Sequence, residues 1–255
     1  MPDVKYHRKG RVGYITFDRP AKLNALTDDG INDFVNAFRE FEADDGAFVG
    51  IISGEGRAFC VGADLQARIL DSVSAGLKGY HRASFDEIFA QSPTMKPLIS
   101  AVHGYVLGKA LSAAFHSEYV VAADDTQFQL TELNFNLAAA SYWALVAFRT
   151  NDAFAMDIGM SGRYWSAQES LDNHLVNRVV PVGQQLAAAE EFAELLAQGP
   201  PMAIRSSVRM RRAMLAEFVA KAGAMTDRYR FDLTHDYAEG VKAKIEKRAP
   251  RFIGS

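Results

Sequence analysis

The chain has little that would place it outside the cell or in a membrane. Among its 255 residues there is one cysteine, Cys60, so no intrachain disulfide can form and a reducing compartment suits it. Its longest apolar region, residues 137–148, is too short to span a bilayer and is interrupted by Ser141. The first five residues, Met1-Pro2-Asp3-Val4-Lys5, lack the basic-then-apolar pattern of a secretory signal, so the expected location is cytoplasmic. Charge of one sign is also scarce. Lys and Arg number 28 against 31 Asp and Glu, a net charge of −3, and such a chain has no global basic field to attract nucleic acid or an anionic membrane. A local basic cluster could still take a phosphorylated ligand. No set of His, Cys, Asp and Glu has metal-ligand spacing, so no metal is expected. There is no tandem repeat and no low-complexity tract.

What is present suits an ordinary globular enzyme. Hydrophobic residues make up 49% and charged residues 23%, enough to bury a large core in one domain, with or without an appendage. The stretch Val12–Phe17 reads as a strand ended by Asp18-Arg19-Pro20. Thr27 followed by Asp28 and Asp29 reads as a helix start, a capping side chain with acids in the first turn. Ile31, Phe34, Val35, Phe38 and Phe41 then recur at three- and four-residue steps, the mark of an amphipathic helix, which Asp44-Asp45-Gly46 ends. Residues 48–52 and Leu98–Val102 read as strands, residues 109–117 as a helix, and residues 119–122 as a strand again. This rhythm predicts an α/β core with βαβ units. Residues 68–91 look helical without a clean apolar stripe and are expected to shape the substrate site. The last third reads as helices over residues 187–198, 203–222 and 224–245, with Pro200-Pro201 separating the first two.

Several segments, in this order, resemble the enoyl-CoA hydratase/isomerase (crotonase) family. They are Asp18-Arg19-Pro20-Ala21-Lys22-Leu23-Asn24-Ala25-Leu26, then Gly56-Arg57-Ala58-Phe59-Cys60-Val61-Gly62-Ala63-Asp64-Leu65, then Lys96-Pro97-Leu98-Ile99-Ser100-Ala101-Val102-His103-Gly104-Tyr105-Val106-Leu107-Gly108. Ser161-Gly162-Arg163, Leu175-Val176-Asn177-Arg178-Val179-Val180-Pro181 and the tail from Glu239-Gly240-Val241 to Glu246-Lys247-Arg248 follow. The resemblance implies a crotonase-like spiral of repeated ββα turns over residues 1–190. It also implies a helical C-terminal trimerisation region over residues 191–255, and assembly as a homotrimer or a dimer of trimers. The expected substrate is an acyl-CoA thioester. No cofactor is expected beyond the coenzyme A moiety of the substrate, and neither nucleic acid nor membrane is expected as a partner.

Chemistry at the α-carbon of a thioester passes through an enolate, and negative charge grows on the thioester oxygen. Two N–H groups aimed at that oxygen stabilise it, each typically worth about 10²–10³ in rate. By resemblance these are the N–H of Ala63 and the N–H of Lys109. The family usually has glycine at the latter position, so the lysine side chain must either leave for solvent or enter the pocket. Family hydratases carry two glutamates twenty residues apart. The first position, four residues after Gly108, is Ser112 here; the second is kept as Glu132. Apolar neighbours should raise the pKa of Glu132 toward a value useful in proton transfer. One carboxylate with an oxyanion hole suits a double-bond shift from 3-enoyl-CoA to 2-enoyl-CoA. The alternatives are a hydratase or hydrolase in which Ser112, His116 or ordered water replaces the lost acid, and a weakly catalytic or non-catalytic acyl-CoA binder. Coenzyme A is expected along Lys22, Ala25, Ala63, Asp64 and Leu65, with Lys247 toward its 3′-phosphate. Lys244, Arg248 and Arg251 complete that basic cluster, which could equally be a solvated helix end. Tyr142, Trp143 and Phe148 are either acyl-pocket or core residues, and Cys60, with no paired base in the pattern, is not expected to act as a nucleophile.

Overall fold

A computed structural model of the chain describes residues 2–64, 67, 87–226 and 229–255. The expected substrate-shaping segment lies outside these residues except for its end, where Glu87–Ala90 forms a short helix, α2.

The main sheet has six strands in the order β1-β2-β3-β4-β6-β9. They are β1 (Val4–Lys9), β2 (Val12–Phe17), β3 (Val49–Gly54), β4 (Leu98–Val102), β6 (Tyr119–Ala123) and β9 (Arg178–Val180). Strand β1 pairs antiparallel with β2, and every later pairing is parallel. A second sheet has the order β5-β7-β8, from Tyr105–Leu107, Gln127–Gln129 and Trp165–Ser166. The chain alternates between them. Strand β4 in the main sheet leads to β5 in the small one and then to helix α3 (Ala110–His116); β6 leads to β7 and then to a 3-10 turn, Thr131–Phe135, and helix α4 (Ala140–Arg149), with α5 (Asp152–Ser161) and α6 (Ala167–Asp172) after it. This is the expected spiral of ββα turns.

Local signals explain the elements. Thr27 caps helix α1 (Asp28–Ala43), its hydroxyl accepting from the N–H of Gly30 at 3.0 Å. Ile31, Phe34, Phe38 and Phe41 are all buried, while Val35 is half-buried. Strands β3 and β4 are buried along almost their whole length, as a parallel sheet covered on both faces requires. One face packs on α1 and α3. The other packs on helix α7 (Gln185–Gln198) through Ala188, Ala189, Ala193 and Ala197. Residue 190 therefore falls inside a helix of the sheet layers.

Beyond Gly199 the described elements are all helices or 3-10 turns. Helix α8 runs over Pro201–Thr226 and packs along α4, with the rings of Phe148 and Phe218 6.1 Å apart. The single helix expected over residues 224–245 is instead interrupted. A 3-10 turn, Phe231–Leu233, intervenes, and helix α9 (His235–Ile245) starts anew. Thr234 sets the new start: its hydroxyl donates to the carbonyl of Phe231 at 2.7 Å and accepts from the N–H of Tyr237 at 3.1 Å. A capping side chain in mid-sequence competes with helix continuation. Through Tyr237 and Val241, α9 docks on Phe135 in the turn that carries Glu132.

Candidate active site

Residues 59–63 run between two other segments. On one side the N–H of Leu26 donates to the carbonyl of Gly62 at 2.8 Å, and the N–H of Asp64 returns to the carbonyl of Leu26 at 2.8 Å. On the other side the N–H of Cys60 donates to Tyr105 and the N–H of Leu107 to Cys60, both at 3.1 Å. Gly62 has φ +80°, and a β-carbon there would stand 2.6 Å from the carbonyl oxygen of Leu107 and 3.5 Å from the nitrogen of Lys109. Only glycine fits that gap and that dihedral. The approach brings the two expected oxyanion segments side by side. The Leu26–Ala63 bridge uses the groups flanking Ala63, and among the described residues the N–H of Ala63 has no hydrogen-bond partner.

Lys109 opens α3, which is buried throughout. The far end of that helix is closed by cations. Arg211 donates to the carbonyls of Phe115 and His116 at 3.0 and 2.9 Å, and Arg149 donates to that of Ser117 at 2.8 Å. Lys109 itself is only 8% exposed. Its side chain therefore lies in the interior, which removes the solvent-facing alternative.

Glu132 reaches the same place from the small sheet. The N–H of Gly108 donates to the carbonyl of Gln129 at 3.0 Å, and two residues on the chain turns back as the 3-10 turn. A β-carbon on Gly108 would lie 3.0 Å from Oε1 of Glu132 and 2.5 Å from Oγ1 of Thr131. The turn is closed by the N–H of Leu137, which donates to the carbonyl of Glu132 at 3.0 Å, and by Asn136 at φ 52°. Burial of the carboxyl pushes its pKa up to about 7, against smaller downward pulls from its own backbone N–H, the Thr131 hydroxyl and the charge of Lys109. A carboxyl poised there can both take and return a proton near neutral pH.

The remaining expected residues divide. Ser112 is buried in α3 with Oγ 3.2 Å from Nδ1 of His116, and that ring stacks on Phe89 at 4.6 Å. Lys22 is exposed and Ala25 half-buried in the loop beside Ala63. Leu65 lies outside the described residues. The carboxylate of Asp64 is taken by Arg19 at 2.8 Å and by the N–H of Ala67 at 3.2 Å, so it does not face a ligand as a free charge. Lys247 is exposed at φ 55°, whereas Arg248 is committed to Glu239 and Glu246, each at 2.6 Å. Trp143 donates to the carbonyl of Ala155 at 3.0 Å and Phe148 packs on Phe218, and both are partly buried against the core. Cys60 is fully buried, its thiol donating to the carbonyl of Asn24 at 3.0 Å, and burial pushes its pKa up to about 12. It is inert. Among the described residues no three metal-ligating side chains are grouped, and no helix is long and apolar enough to cross a membrane.

Two supporting residues were not expected. Asn24, 1% exposed and at φ 57°, donates through Nδ2 to the carbonyls of Glu55, Ala58 and Phe59 at 2.9, 2.8 and 3.1 Å. Arg19 donates to the carbonyl of Ala25 at 3.0 Å besides holding Asp64. Between them they fix the segment that ends in Ala63. The available signal was Asn24 itself, since asparagine tolerates the left-handed region better than most residues.

The segments carrying Ala63 and Lys109 thus meet at Gly62, and the Glu132 carboxyl, its pKa raised to about 7 by burial, lies against Gly108. The chain belongs to the enoyl-CoA hydratase/isomerase family, whose sequence model matches residues 7–255. It is thus a crotonase-family enzyme acting on acyl-CoA. It is 30% identical over 258 residues to the 2,3-dehydroadipyl-CoA hydratase of Escherichia coli, covering all of both chains. It is 29% identical over 257 residues to an enoyl-CoA hydratase of Mycobacterium tuberculosis, covering 98% of this chain and 96% of that one. Among solved structures, a carnitinyl-CoA dehydratase from Mycobacterium avium superposes over the whole of both chains with a TM-score of 0.82 and 28% identity.

Proposed function

We propose that the enzyme shifts the double bond of a 3-enoyl-CoA to give the conjugated 2-enoyl-CoA, with Glu132 as its one proton carrier. The thioester oxygen lies between the N–H groups of Ala63 and Lys109. The Glu132 carboxylate takes a proton from C2, and the electron pair passes through the dienolate onto the thioester oxygen. The resulting carboxylic acid delivers the proton to C4 as the pair returns, so the double bond moves from C3–C4 to C2–C3. No water is consumed. The observation that carries this reading is the Glu132 carboxyl of near-neutral pKa against Gly108, with Ser112 where hydratases carry their first glutamate. Coenzyme A would lie along Lys22, Ala25, Ala63 and Leu65, with its 3′-phosphate toward Lys247, in a trimeric assembly.

A second reading is hydration of a 2-enoyl-CoA, in which the Ser112–His116 pair orients the water that a second glutamate would otherwise hold. The names of the relatives favour it. The two are separated by giving the wild type and Glu132→Gln a medium-length 3-enoyl-CoA and a 2-enoyl-CoA. Conjugated product from the former, lost in Glu132→Gln, supports the shift. Hydration of the latter without isomerisation overturns it.

A further inference from the structure

We propose that Gly240 and Gly162 are positioning residues: together with Gly108 they form a three-sided seat that fixes where the turn carrying Glu132 stands at the thioester site. The proposal rests on Glu132 being the proton carrier. The turn Thr131–Phe135 meets three glycines from three distant parts of the chain. A β-carbon on Gly108 would stand 2.5 Å from Oγ1 of Thr131 and 3.0 Å from Oε1 of Glu132. One on Gly162, which ends α5, would stand 3.3 Å from Cβ of Leu133 and 3.9 Å from Oδ1 of Asn134. One on Gly240, in α9, would stand 2.9 Å from Cα of Phe135 and 3.1 Å from the carbonyl oxygen of Asn134. Every residue of the turn thus lies against a glycine.

The Gly240 contact is the least yielding. Gly108 and Gly162 face side-chain atoms, whereas Gly240 faces backbone, which no change of rotamer can move aside. Glycine is also a poor choice inside a helix, where alanine is favoured. Gly240 is buried in the middle of α9, and the close approach of Phe135 is the reason for it. The walls are anchored as well. The carbonyl of Gly162 accepts Nε2 of Gln129, at the end of the strand from which the turn emerges, at 2.8 Å. Nδ2 of Asn136 donates to Oγ1 of Thr234 at 3.2 Å, and Tyr237 and Val241 pack on Phe135. The tail after α9 binds its outer side, with Glu239 accepting the N–H of Arg251 at 2.8 Å and Asp236 those of Ile253 and Gly254 at 2.8 and 2.7 Å.

The turn moves as a unit, because Leu137 donates to the carbonyl of Glu132 at 3.0 Å and Asn136 to that of Leu133 at 3.2 Å. A push at Phe135 is therefore felt at Glu132. The seat sets how closely the carboxyl approaches the oxyanion segment that begins at Gly108. It also gives the Glu239-Gly240-Val241 segment of the tail a role at the site, although it lies more than a hundred residues further along the chain.

The test compares Gly240→Ala with Ala238→Gly, a change on the exposed side of the same helix. Two quantities are measured. One is kcat and KM on whichever of the 3-enoyl-CoA and 2-enoyl-CoA the wild type turns over. The other is the titration midpoint of Glu132, read without substrate by ¹³C NMR of labelled glutamate carboxyls and assigned by its loss in Glu132→Gln. Gly240→Ala should lower kcat about tenfold with KM changed less than about twofold. It should also lower the Glu132 midpoint by about half a pH unit or more, as the displaced carboxyl gains water. Ala238→Gly should leave both near the wild-type values. Val241→Ala, which opens the same contact from the side, gives the readout if Gly240→Ala does not fold. A wild-type kcat in Gly240→Ala, a loss of kcat with an unmoved Glu132 midpoint, or an equal loss in Ala238→Gly would each overturn the proposal. Should Glu132→Gln keep its activity, Glu132 is not the proton carrier, and the midpoint alone then decides whether α9 seats the turn.

Discussion

The α-carbon of Gly108 faces the carboxyl of Glu132 so closely that a β-carbon would stand 3.0 Å from Oε1 and 2.5 Å from Oγ1 of Thr131. Its φ of +51° lies in the left-handed region as well. Gly108→Ala should therefore cost about 1–2 kcal/mol of stability from the dihedral and the clash together. Activity should suffer more than stability, because relief of the clash pushes away the carboxyl that we propose moves the proton. A displacement of about 1 Å can cost on the order of 10²-fold in rate. Urea unfolding and kcat, measured on the same preparation, check the split. A kcat near that of the wild type would show that Glu132 works from somewhere else.

The raised pKa of Glu132 predicts two pH effects. Proton abstraction requires the carboxylate, so activity should rise with pH through about 7, and Glu132→Gln should abolish both the activity and the limb. Stability should run the other way. Between the ordinary value of 4.5 and about 7 the folded state holds a proton that the unfolded chain has released, so wild-type stability falls as pH rises across that window. Glu132→Gln lacks this loss. Above pH 7 it should be the more stable protein, by at most about 3 kcal/mol. Denaturant unfolding of both proteins at pH 5 and pH 8 checks the sign.

Asn24 predicts a contrast between two substitutions. Its side-chain amide serves three buried carbonyls, and its backbone sits at φ 57°. Asn24→Ala loses both the donors and the tolerance of that dihedral, and should cost about 3 kcal/mol. Asn24→Gly loses only the donors and should be less destabilised, by about 1 kcal/mol. Both should weaken catalysis, since the carbonyls of Ala58 and Phe59 lie in the segment that leads to Ala63. Equal unfolding midpoints for the two variants would remove the dihedral from the explanation.

The sequence made the frame of this site legible and left its supports hidden. Periodic apolar residues marked α1, continuous apolar runs marked β3 and β4, and the ordered segments from Asp18 to Gly108 led to Gly62, Gly108 and Glu132. These signals are local or sit at fixed offsets. What escaped depends on partners far away in the chain. Strand β1 is polar on its exposed side and becomes a strand by pairing with β2. The start of α9 turns on Thr234, a threonine like any other until its bonds to Phe231 and Tyr237 are seen. The burial of Lys109 and the neutralisation of Asp64 by Arg19, 45 residues away, are equally invisible in one dimension.

The anchor of α8 on the sheet offers a test of cooperation between charges. Oε2 of Glu118 accepts the N–H of Leu98 at 2.8 Å and Nη2 of Arg212 at 3.0 Å, while Oε1 accepts Nε of Arg212 at 3.0 Å and Nη1 of Arg211 at 3.3 Å. Arg212, with its side chain 1% exposed, also donates to the carbonyl of Lys96 at 3.0 Å. Glu118→Gln leaves that guanidinium buried without its counter-charge and should cost about 3 kcal/mol or more. Arg212→Met removes the charge and fills much of its volume, so the double variant should be destabilised by clearly less than the sum of the two single changes. A double-mutant cycle in urea measures the difference. Strict additivity would mean that the pair is held by packing around it and that the charges contribute nothing of their own.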